Sequence, residues 1–164
     1  MALKSTKDFT LKGVQQVMAN LNKALEGTKQ ASFKGLIKCA ILVQRSMDKE
    51  SPKVPVDLRN LQHSWFAVTV KNTIQGAGAF KGEDSIQLAV DHSDTLQEAK
   101  TITETKSNPV MIFGFTANYA AFVHELGDDA SFQRPGAGAK FFESALNRNY
   151  AKMLSTLQQE AILK

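Results

Sequence analysis

The chain has 164 residues and a formal net charge of +4, with 20 Lys/Arg against 16 Asp/Glu and 43% apolar residues. That length suits a single domain, 1–164, able to bury a core unaided, and the composition excludes disordered, collagen-like and membrane-spanning classes. No apolar run approaches the ~18–20 residues that cross a bilayer, the start carries no apolar signal core, and the single cysteine, Cys39, permits neither an intrachain disulfide nor a cysteine-based zinc site. These features predict a product of a reducing cytoplasm.

Residues 8–50 read as helical. Leu11, Val14, Met18, Leu21 and Leu25 recur three and four apart on one face, and Phe33, Leu36, Ala40, Ile41 and Met47 form a second such run. Gly27 predicts a left-handed stop, with Thr28 or Ser32 capping a second helix, so the expectation is two helices or one kinked at Gly27. Cys39 falls in the apolar run and reads as a buried thiol. The first fifty residues hold nine Lys/Arg and four Asp/Glu, the remainder being near neutral. These lysines are spread along the run, which suits a solvated helix face better than a compact nucleic-acid patch. Pro52 and Pro55 end the helical region.

Residues 60–116 read as strand-rich. Ser64 to Val70 alternates Phe66, Val68 and Val70 against Trp65, Ala67 and Thr69, as a strand does. Gly76-Ala77-Gly78-Ala79 reads as a flexible turn, Ser85 to Val90 as a second strand and Pro109 to Thr116 as a third. Between them 91–108 is polar and lacks aromatics, predicting an extended loop, as an arm, a hairpin or a surface insertion, able to reach ~55–60 Å if fully extended. A short helix over 118–126 ends at Gly127, a loop follows, and a closing helix spans 139–163 with Phe142, Ala145, Leu146, Tyr150, Met153, Leu154, Leu157 and Ile162 on its buried side. The expected class is α+β: amino-terminal helices and a long carboxy-terminal helix packed on a small, mainly antiparallel sheet.

Signals of catalysis are weak. His124-Glu125 resembles the opening of a zinc-protease helix, but the second histidine that chemistry needs four residues on is Asp128. His63 and Ser64 are adjacent, so on a strand they would face opposite ways, and no strained Gly-x-Ser-x-Gly turn holds the serine. The glycines at 76–82 lack the dinucleotide spacing and no Lys-Ser/Thr follows. We therefore expect no catalytic residue, no metal and no cofactor.

Two segments carry more information: Pro55-Val56-Asp57-Leu58-Arg59-Asn60-Leu61-Gln62-His63-Ser64 and Tyr119-Ala120-Ala121-Phe122-Val123-His124-Glu125-Leu126-Gly127. Read physically, Pro55 fixes the backbone leaving the helices, Asp57 can close a turn by accepting from amides ahead, Leu61 docks into the core, and Tyr119 and Phe122 pin the short helix. In order and setting the chain resembles the tail-completion (head–tail joining, or neck) proteins of long-tailed bacteriophages. Their first pattern is Pro-Val-Asp-Thr-Gly-x-Leu-Arg-x-Ser, matched here at Pro55, Val56, Asp57, Leu61 and Ser64, with Leu58, Arg59 and Gln62 replacing Thr, Gly and Arg. The second is matched at Tyr119, Ala120, Val123, Glu125 and Gly127. A third, close to Pro-Phe-Leu-Arg-Pro-Ala-Leu, is matched at Phe141, Phe142, Ala145 and Leu146, with Glu143 and Ser144 in place of Arg and Pro.

The resemblance implies a non-enzymatic virion protein of the neck or tail, made in the host bacterial cytoplasm. It would form a ring of its own copies, six-fold with twelve-fold as the alternative. The ring would sit between portal, adaptor or stopper proteins and a tail terminator or tail tube. DNA would pass through without sequence-specific contact, and no membrane is involved. Neighbour contacts are expected from the 91–108 arm (Asp91, Thr95, Glu98, Thr101, Thr103) and the 127–139 loop (Asp128, Phe132, Arg134). The competing readings are a tail terminator, a minor capsid protein, or a nucleic-acid-binding protein using the basic amino-terminal helices.

Overall fold

The computed structural model describes residues 11–127 and 130–161, with side chains from Gln15 onward. Eight elements follow in order: α1 (Leu11–Lys49), α2 (Asn60–His63), β1 (Trp65–Val68), β2 (Thr73–Gln75), α3 (Ser85–Glu104), β3 (Ile112–Phe115), α4 (Ala120–His124) and α5 (Phe141–Ala161). The fold is α+β, as expected, with α1 and α5 packed on a small antiparallel sheet of order β2-β1-β3.

β1 is central, and its alternation explains why every one of its residues is buried. Trp65 and Ala67 face the cluster built with Val43, Met47, Phe141 and Ala145 of α1 and α5. Phe66 and Val68 face the opposite way, onto Ala99 and Leu96 of α3. The sheet thus lies between two helical layers, each face burying its own apolar set. Pairing runs Trp65 to Phe115 and Val68 to Ile112 on one side, Phe66 to Gln75 and Val68 to Thr73 on the other. Phe113 and Phe115 then meet Phe142 and Phe141 edge-on at 5.0 and 5.6 Å, the geometry ring quadrupoles favour.

Five expectations are corrected. Gly27 does not stop α1, which continues as one helix. Thr28 Oγ1 and Ser32 Oγ donate back to the carbonyls of Ala24 and Thr28 instead of capping a new helix. One exposed helical glycine costs about 1 kcal/mol, too little to break a helix anchored by the core downstream.

The second strand is Thr73–Gln75, not Ser85–Val90, and the supposed loop 91–108 is largely helical, because 85–104 forms α3. Its buried stripe is Leu88, His92, Ala99 and Thr103, with Leu96 partly buried. Those positions follow helical spacing, but His92 and Thr103 are polar and hide the stripe from an apolar count.

Nor is Gly76 a flexible residue. Its N–H donates to Trp65 O at 2.7 Å, and a Cβ there would lie 2.5 Å from His63 O. Finally, the closing helix exposes Tyr150 and Leu154, while Asn149 is buried and donates to Ala145 O.

Candidate functional site

The two informative segments meet. Pro55, Val56, Asp57 and Leu61 line one cavity of about 490 Å³ together with Tyr119, Val123 and Phe132. Leu61 and Ala120 belong to the core beneath it, as do Phe141 and Ala145, with Phe142 and Leu146 packed alongside. Ser64 is buried too, its hydroxyl donating to Leu61 O at 2.9 Å. Asp57, Glu83, Asp84 and Lys81 supply the charged groups of the cavity, and its lining contains neither histidine nor cysteine. Tyr119 has its phenol pushed to higher pKa by burial first and by the Asp57 charge second. The arrangement is a recess of mixed lining, with Val56, Leu61, Leu88 and Val123 on its apolar side and carboxylates on the other.

The turn that forms its wall differs from the expectation. Asp57 is exposed, and the chain reverses instead at Arg59, which is left-handed (φ 69) just before α2. Asn60 then locks the segment to the 81–84 turn: its Nδ2 donates to Lys81 O and its Oδ1 accepts from Lys81 N, both at 2.8 Å. Phe122 is 70% exposed and does not pin α4; Ala120 and Val123 do that.

His124 and Glu125 have structural work. His124 Nε2 accepts from the Glu143 N–H at the start of α5, which leaves Nδ1–H to donate to Glu125 at 2.7 Å. Glu125 also pairs with Lys140, and Lys140 first, then His124, holds its carboxyl below the usual range. An orphan amide of the α5 amino terminus is thereby satisfied across the 125–140 loop. Gly127 follows on the exposed side, its carbonyl accepting from Ala130 N.

Of the expected neighbour contacts, Thr103 is buried and bonds Lys100 O within α3. Thr95 and Thr101 likewise bond Asp91 O and Gln97 O, and Asp91 accepts from Gln87; Glu98 and Thr101 are exposed. Asp128 lies outside the described residues.

Arg134 turns inward, against expectation. Nη1 donates to Val54 O at 2.9 Å and Nη2 to Asp48 O at 2.6 Å. Arg148 reaches Ser51 O and Ser46 Oγ nearby. Two guanidinium groups therefore satisfy carbonyls at the carboxy end of α1 (Asp48) and in the turn just beyond it (Ser51 and Val54), where the helix dipole favours positive charge. Nothing local in the sequence told the target of either arginine.

His92 is a further buried polar group that sequence reasoning left unused. Its Nδ1 lies 2.8 Å from Thr116 Oγ1 and its Nε2 3.2 Å from Gln75 Oε1, so α3 is tied to both β2 and the end of β3. Burial pushes its pKa down. Cys39 is buried, with its thiol pushed up by burial and therefore protonated. Among the described residues no cluster of three or more metal-ligating side chains occurs, and no helix is long and apolar enough to cross a membrane. No family model, no curated protein and no solved structure matches the chain.

Proposed function

We propose that this chain is a structural protein of a bacteriophage neck. Six copies form a ring between the portal complex and the tail tube, and DNA passes through the bore. The observation that carries the reading is the backbone at Arg59. The resembled pattern has glycine at that position, and the chain keeps there the left-handed conformation that favours glycine. The other matched positions fall where such a pattern would hold a fold together: Leu61, Ser64 and Ala120 in the core, and Phe141 and Ala145 at the α1–α5 seam. One departure stands beside them. Lys140, where the third pattern begins with proline, has φ 53, which proline cannot adopt.

A closed ring needs two different surfaces on each subunit, one meeting the other on the next copy. The face where the two segments meet offers a recess of mixed lining with Leu58 and Tyr119 at 46% and 37% exposure. These are side chains that gain by being covered. The nucleic-acid reading gains less, because Lys34 and Lys38 of the basic helix are both engaged by Glu160.

Cryo-electron microscopy of the assembled particle tests the proposal. Density for the α1–α5 pair in a ring between portal and tube supports it. The same density at the tail terminus or in the capsid shell overturns the neck assignment.

A further inference from the structure

The outer side of α1 carries two matching pairs of cations. Lys34 and Lys38 stand four residues apart. Arg45 and Lys49 repeat them eleven residues on, which is three turns, so both pairs lie on one side of the helix ~17 Å apart. The first pair shows what such a pair does: both ammonium groups close on one carboxylate of α5, Glu160, Lys34 at 3.2 Å. The second pair has no such occupant. Arg45 and Lys49 are exposed, and among the described residues neither takes part in an ion pair. The acids nearest in sequence are held elsewhere, Asp48 by Gln44, Gln62 and Arg134, and Glu50 by Arg148.

The counterpart lies on α3. Gln87, Asp91, Asp94, Glu98 and Thr101 are spaced four, three, four and three apart and so share one stripe. Asp94 and Glu98 are exposed and Asp91 is half-buried. The Asp91 carboxylate accepts from the Gln87 amide at 2.7 Å. Among the described residues none of the three carboxylates meets a cation. Lys100 projects from another side, roughly 120–160° round the helix from Asp94 and Glu98. Like charges at these spacings repel, so each row keeps a repulsion that an opposite row relieves.

Placement selects the occupant. α1 packs on the Trp65 and Ala67 side of β1 and α3 on the Phe66 and Val68 side, so the two rows sit on opposite layers of the subunit. They cannot meet within one copy. A second copy can bring its α3 against α1 and leave its own α1 open to the next, which is the head-to-tail contact of a ring. Arg45 and Lys49 match Asp94 and Glu98 in pitch, each pair spanning four residues or ~6 Å. Val90 and Ile102, 48% and 41% exposed, flank the carboxylates with apolar area. Neither row lines the recess between the two segments.

We propose that Arg45 and Lys49 of α1 receive Asp94 and Glu98 on α3 of a neighbouring copy, as Lys34 and Lys38 receive Glu160 within the chain. The pairing rests on the ring reading and supplies the two unlike surfaces that a ring needs. Exposed ion pairs add little affinity singly, but opposed rows orient partners and speed their encounter.

The test is sedimentation of the full chain up to millimolar concentration at low salt, with two charge-reversed chains. One carries Arg45→Glu and Lys49→Glu, the other Asp94→Lys and Glu98→Lys. The wild type should associate with concentration, and more weakly in ~1 M salt, where charges are screened beyond ~3 Å. Each reversed chain alone should associate about tenfold or more weakly. An equimolar mixture of the two should regain wild-type association, because every acidic row then faces a basic one. That recovery also shows both altered chains to be folded.

A wild type that stays monomeric, reversed chains that associate unchanged, or a mixture as weak as its parts overturns the pairing. So does loss of duplex-DNA binding by the Arg45→Glu, Lys49→Glu chain with association intact, which makes the cations a nucleic-acid contact. Failure of the ring reading looks different: recovery in the mixture by a chain that microscopy finds outside the neck. Conversely, a normal neck ring built from either reversed chain removes the pairing and leaves the ring.

Discussion

Replacing Arg134 by alanine separates two roles for this side chain. Its guanidinium donates to the carbonyls of Val54 and Asp48, more than seventy residues back in the chain, and its side chain is 24% exposed. A hydrogen bond from a charged donor contributes about 1.5–3 kcal/mol. Partial exposure lets water replace some of each bond, so the pair together should be worth about 2–4 kcal/mol. In a domain of this size each kcal/mol moves the midpoint by about 2–4 °C, which places the expected drop at about 5–15 °C. Urea unfolding with an unchanged slope should report the same loss. Arg134→Lys should recover less than half of it, since an ammonium group lacks the fork that reaches two carbonyls at once. Were Arg134 instead a neighbour contact, the alanine variant would unfold like the wild type and fail only in assembly. A change below about 0.5 kcal/mol in the isolated chain refutes the clamp.

Three further outcomes follow from local geometry. Gly76→Ala should cost about 1–3 kcal/mol or more in urea unfolding, because the added Cβ would meet His63 O at 2.5 Å and Gln62 O at 2.6 Å, backbone atoms that cannot swing aside. Arg59→Gly should stabilise the chain by about 0.5–1 kcal/mol: relief of ~1–2 kcal/mol of left-handed strain outweighs the ~0.4–1 kcal/mol of added unfolded-state entropy. For His92 the folded pKa lies below the ordinary 6.5, so the unfolded chain takes up its proton first as pH falls. The stability it contributes should be intact above 6.5, decline as pH drops from there toward its lowered native value, and then level off. His92→Gln should remove that component from a plot of unfolding free energy against pH.

What could be read in the sequence was whatever repeats over a short span. β1 alternates, so its two faces were visible, and they prove to serve two separate clusters. The long runs around α1 and α5 were visible as helices for the same reason. α3 was not, because its buried stripe includes His92 and Thr103, which succeed there by finding partners in Thr116, Gln75 and Lys100. A polar residue satisfied by a distant group looks like a surface residue until that group is placed. Arg134 and Arg148 were hidden in the same way, as was Gly76, whose need for a bare Cα comes from the carbonyls of residues 62 and 63. The pairing of the 55–64 and 119–127 segments could be anticipated in importance, but their shared cavity depends on β1 and β3 lying side by side.

Periodicity also says which face of a helix is apolar without saying whether the chain itself covers that face. The answer here comes from length. The 39 residues of α1 span ~58 Å and the 21 of α5 ~31 Å, so an antiparallel partner begun beside the carboxy end of α1 runs out roughly halfway. Downstream of that point the apolar positions are core: Phe33, Ala40, Val43 and Met47 are all buried. Upstream, residues of the same chemistry and spacing are left in water. Burying a leucine is worth about 1.5–3 kcal/mol, and nothing in the described body is within reach to provide it. The mismatch in length between two helices that otherwise pack closely is therefore what divides one apolar pattern into a buried half and an exposed half.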